Sequence, residues 1–208
     1  KLFGFEALGN IWNIVLGLSV MFLARILGAL YLINNVNHED VTKRLRKSVL
    51  LNSIPFLLCF VSFVVHLLLK DGLHYVSDTE TFMLTSYKYL TNFITYPLVS
   101  ALFITGVVCV IFGIIRTILS PTYVKGIWFA GLGTVLTVMN LLVIAGFNNT
   151  AFYPSTVHTN SSLCIANSSA SETTLFTMTI VSAIIPFVLA YIAYAWRKID
   201  TKQITEEE

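Results

Sequence analysis

IWNIVLGLSVMFLARILGALYLI, residues 11–33, decides the fold. The run carries one charge, Arg25, and as a helix rising 1.5 Å per residue it extends roughly 35 Å, enough to cross a bilayer. Soluble cores do not need an unbroken apolar run of that length. A cation about a turn past its middle is costly in hydrocarbon, so Arg25 must snorkel, find an anion or face something polar.

Four further apolar runs follow, at residues 49–69, 93–119, 126–147 and 174–196. Segments 34–48 and 120–125 connect them on one side and 70–92 and 148–173 on the other, and a charged tail occupies 197–208. The expectation is an all-α polytopic membrane protein with five transmembrane helices in a single helical domain. Composition agrees, with 56% of residues hydrophobic and 12% charged, a bias outside the range of soluble domains. A net charge of +2 gives no ground for a nucleic-acid partner. The placement of the charges sets the orientation. With the first span entering from outside, nine basic residues fall in inner segments, and only Lys1, Lys70 and Lys88 fall in outer ones. That asymmetry puts the N-terminus outside and the C-terminus in the cytoplasm. Trp12, Trp128 and Trp196 lie near span ends, where indole rings favour the headgroup zone. The opening Lys1-Leu2-Phe3, with neither an initiator Met nor a signal peptide, reads as part of a longer chain.

Small residues predict how the spans pack. Ala24 and Gly28, Gly106 and Gly113, and Gly126 and Ala130 each share a helix face, where backbones approach closely and helices associate through van der Waals contact. Pro186, midway along the last span, removes a backbone hydrogen bond and favours a kink.

Few residues offer chemistry. Cys59, Cys109 and Cys164 form neither a disulfide framework nor a metal motif. His66 could ligate haem or a metal, but a membrane histidine without a partner three or four residues away more often serves packing. Glu6 is either an interfacial charge or the start of a polar path into the bundle. Arg25 either snorkels or pairs with an acid beyond these spans, whose interiors contain no Asp or Glu. No catalytic, cofactor-binding or metal-binding residue is assigned. The candidate structural or interface residues are Arg25, Glu6 and His66. Sequons at Asn148, Asn160 and Asn167 are read as turn chemistry in a loop rich in Ser, Thr and Asn.

Several separated stretches carry a family resemblance. FNNTAFYPS at 147–155 and SSLCIANSSASETTL at 161–175 resemble the last outer loop of subunit II of bacterial cytochrome bd quinol oxidases. FLARILGALY at 22–31, NSIPF at 52–56, LKDG at 69–72 and GIWFAGLGTVLT at 126–137 resemble the same family in the same order. The resemblance implies the C-terminal five helices of that subunit, a four-helix bundle plus an additional helix, with the N-terminal half missing. It places haem b, haem d and the quinol-oxidising loop in subunit I, and the acids linked to proton uptake in the missing half. The chain would then bind no haem of its own, with room for a structural quinone or lipid. Its partners would be subunit I, the missing half and membrane lipid, with quinol as substrate of the complex, in the bacterial cytoplasmic membrane. Its role would be assembly and stability of the haem-bearing subunit. Two other classes compete: a five-span transporter or channel subunit, which needs a polar stripe through the bundle, and a four-span adhesion scaffold, which usually needs more outer-loop cysteines.

Overall fold

The computed structural model describes residues 9–36, 38–155 and 157–200. In chain order the elements are α1 (Ile11–Asn35), α2 (Glu39–Leu69), β1 (Gly72–Val76), β2 (Thr81–Thr85), α3 (Lys88–Thr95), α4 (Pro97–Leu119), α5 (Gly126–Gly146), α6 (Ile165–Ser168) and α7 (Glu172–Asp200). Among the described residues five helices, α1, α2, α4, α5 and α7, are long and apolar enough to cross a membrane. The all-α polytopic architecture is as the sequence predicts. The described residues fall into two compact units that divide after Ile165; the first holds the bundle, and α7 belongs to the second.

Helix ends follow local chemistry. Asn10 caps α1 by accepting the Trp12 backbone N–H at 3.0 Å. Glu39 and Asp40 occupy the first turn of α2, where the helix dipole favours anions. The segment 34–48, read as a loop, is therefore mostly helical, because its charged residues are good helix formers. The segment 70–92 also carries structure: β1 and β2 pair antiparallel, with Gly72 opposite Thr85 and His74 opposite Met83. The span read as 93–119 is two helices. Pro97 opens α4 at a position where its missing N–H costs nothing, and it pushes Tyr96 out of helical geometry, ending α3.

Within the first unit α1 packs along α2, α4 along α5, and contacts of α1 with α5 and α2 with α4 close a four-helix bundle. Its core is built from Ile26, Leu30, Ile33, Val49, Phe56, Val110 and Ile114. The tightest seam joins α4 and α5. A Cβ on Gly133 would lie 2.5 Å from the Gly106 carbonyl oxygen, and one on Gly113 would lie 2.7 Å from the Gly126 carbonyl oxygen. The glycine face predicted from sequence thus lets two backbones touch. Ala24 and Gly28 differ from expectation: both are exposed, and no atom lies within 4 Å of a Cβ built on Gly28. Ile26, Leu30 and Ile33 claim the bundle side of α1 and turn those small residues outward.

Candidate functional site

Two polar assemblies and one cavity are the places where the bundle could bind or react. The first caps the hairpin end. Asn92, fully buried, donates from Nδ2 to the Ile144 carbonyl at 2.9 Å and to Thr150 Oγ1 at 2.8 Å. Its Oδ1 accepts from Asn148 Nδ2 at 2.9 Å. Lys88, only 3% exposed, donates from Nζ to the Asn148 carbonyl and to His74 Nδ1, each at 3.0 Å. An ammonium can only donate, so in that contact the ring nitrogen of His74 is the acceptor. Asn148 and Asn149 sit at φ 58° and 53°, a left-handed conformation that asparagine tolerates, so the turn reading of the first sequon fits the backbone. Backbone bonds from Tyr75 N–H to the Asn149 carbonyl and from Ala151 N–H to the Leu73 carbonyl tie hairpin to loop.

Burial holds the Lys88 ammonium below the ordinary lysine value of 10.5. The folded cap therefore binds this proton less tightly than the unfolded chain, and stability rises with pH between the lowered value and 10.5. Burial raises the Tyr89 phenol above 10.0, so Tyr89 stays neutral in both states below that value. The melting temperature of the parent minus that of Lys88→Met should accordingly increase from about pH 8 to pH 10. A flat or falling difference would contradict a desolvated ammonium.

The second assembly lies at the other end of the bundle. Arg46 of α2 reaches across to the end of α4 and the turn after it. Its Nη1 donates to the Thr117 carbonyl and, at 2.9 Å, to the Ser120 carbonyl. Its Nη2 donates to the Pro121 carbonyl at 2.7 Å and to the Tyr123 carbonyl at 3.0 Å. A planar, forked cation thus gathers carbonyls at the negative end of a helix dipole.

The candidates taken from sequence form no further assembly among the described residues. His66 stacks flat on Trp12, with centroids 3.8 Å apart and planes 3° apart, pinning α2 to the start of α1. Arg25 projects from the exposed side of α1 and makes no hydrogen bond or ion pair among the described residues. Glu6 lies outside the described residues. Sequence reasoning missed Arg46, Lys88 and Asn92 because their partners are backbone carbonyls or side chains 14 to 77 residues away. Such pairings leave no spacing motif.

An apolar cavity of about 70 Å³ opens between the four helices, lined by residues that include Leu23, Phe56, Phe60, Val110, Thr137 and Leu141. Among the described residues no three His, Cys, Asp or Glu gather as a metal site would need.

Fold and polar clusters together define a polytopic helical membrane protein whose buried polar groups bond to its own backbone and side chains. The family profile described as cytochrome bd terminal oxidase subunit II matches residues 2–199, and the chain belongs to that family. It is therefore a membrane subunit of a respiratory terminal oxidase, a complex that includes a partner subunit. No curated protein matches the chain.

The family resemblance implies haem in the complex, and the described lining of the bundle cavity does not fit it. The cavity is lined by no His, Met or Cys. One face of the His66 ring is covered by Trp12, and His74 Nδ1 is engaged by Lys88.

Proposed function

We propose that the chain is the non-haem membrane part of a cytochrome bd-type quinol:oxygen oxidoreductase, supporting the assembly and stability of the subunit that carries haem b and haem d. The observation that carries this reading is the interior of the bundle. Four of its buried polar side chains turn back on their own helices: Ser53 to the Val49 carbonyl, Thr117 to Gly113, Thr137 to Gly133 and Asn140 to Leu136. Groups spent in this way form neither a polar stripe for transport nor a ligand set for redox chemistry. Electrons pass from quinol to oxygen in the partner, and this chain supplies a rigid wall beside it. The apolar cavity, a slot for methylene groups, accommodates the tail of a lipid or quinone.

The asymmetry of basic residues orients the bundle in the bacterial cytoplasmic membrane. The cap formed by Lys88 and Asn92 then faces outward and the Arg46 clamp faces the cytoplasm. The complex purified through a tag on this chain should show b- and d-type haem in a reduced-minus-oxidised spectrum, whereas the chain expressed without its partner should hold none. A tagged complex free of haem, or stoichiometric haem in the lone chain, would overturn the assignment.

A further inference from the structure

We propose that the outward face of α1 is a docking strip for a transmembrane helix of the partner subunit, and that this helix carries an aspartate or glutamate at the depth of Arg25. The inference rests on the subunit role proposed above and adds where the contact falls and what chemistry recognises it.

Two independent features coincide on this face. The first is its shape. At 100° per residue, Gly17, Ala24 and Gly28 fall within roughly 40° of one line along α1, and a Cβ built on Gly17 or Gly28 meets nothing within 4 Å. The same protein shows what such a line does when occupied. Gly106, Gly113 and Gly133 bring α4 and α5 into backbone contact, whereas the α1 line carries no helix of the bundle.

The second feature is charge. Arg25 lies beside the line, exposed, only about 3 Å from the middle of its helix and about 12 Å from the edge of a ~30 Å hydrocarbon core. Snorkelling spans only part of that distance. None of the five spans supplies an anion at this depth: α1, α4 and α5 contain no acid, Glu39 and Asp40 open α2, and Glu172 and Asp200 are the terminal residues of α7. A guanidinium in hydrocarbon demands a carboxylate that can accept its fork, and a helix seated in the small-residue groove comes close enough to present one. Lipid phosphate, the other anion within reach of a membrane protein, lies at the wrong depth.

The test uses membranes containing the whole oxidase, with a benzophenone side chain in place of Met21, on the same face. Irradiation should give an adduct with the partner subunit. Adducts confined to lipid, to a second copy of this chain or to another part of the same polypeptide would overturn the proposal. In parallel, Arg25→Leu and Gly28→Leu should each lower the yield of haem-loaded complex in detergent by roughly tenfold or more, with Arg25→Lys recovering only part. The amount of chain in the membrane should stay at the parent level, since leucine inserts more readily than arginine. Yields equal to the parent for both leucine variants would also overturn it. Haem absent from the parent complex would defeat the subunit role, whereas haem present with crosslinks only to lipid defeats the docking strip alone.

Discussion

A single methyl group added at Gly133 is expected to push α4 and α5 apart and to destabilise the bundle by about 2–3 kcal/mol. The new Cβ would lie 2.5 Å from the Gly106 carbonyl oxygen, 2.7 Å from the Val110 nitrogen and 2.9 Å from Cys109 Cβ. Two of those atoms are backbone in the middle of a 23-residue helix and cannot swing aside as a side-chain tip would. The helices must separate, and the seam loses dispersion contacts along its length. Gly131, two residues earlier on α5, is the control. A Cβ there meets nothing within 4 Å, so Gly131→Ala should be neutral or should stabilise by about 0.5–1 kcal/mol through helix propensity alone. Thermal unfolding in detergent separates the two, and equal melting temperatures for Gly133→Ala and the parent would refute the close seam.

Loss of the Arg46 fork should be comparable. Charge-assisted hydrogen bonds contribute about 1.5–3 kcal/mol each, but carbonyls at a helix end recover part of that from water. We therefore expect Arg46→Met to lose roughly 2–4 kcal/mol in all and to lower the melting temperature by roughly 5–10 °C. Lysine keeps the charge near the negative end of α4 yet cannot donate along two diverging arms, so Arg46→Lys should fall between parent and Met. The clamp joins α2 to the α4–α5 turn. A methionine variant that melts with the parent would show that those carbonyls are equally well served by solvent.

The sequence by itself determined the membrane class, the number of spans and the small-residue faces of α4 and α5, though not that the two faces meet. These rest on local quantities: the length of an apolar run against the thickness of hydrocarbon, and the absence of a side chain at helical spacing. It also carried the family resemblance, because several separated motifs stand in the same order. Where sequence reading stopped short, the deciding forces were local but weak or else long-range. The hairpin has five-residue strands, too short for periodicity to stand out, and the break at Pro97 is hidden inside continuous apolar sequence. Only the tertiary structure turned Ala24, Gly28 and Arg25 outward, since which side of α1 faces the bundle depends on where α2 and α5 pack. It alone converted Arg46 from a topology signal into a clamp, and Lys88 from an outer-loop charge into a buried ammonium held by His74 and Asn148. A cation bonded to carbonyls leaves no mark in sequence, because every residue has a carbonyl and only the fold decides which ones converge.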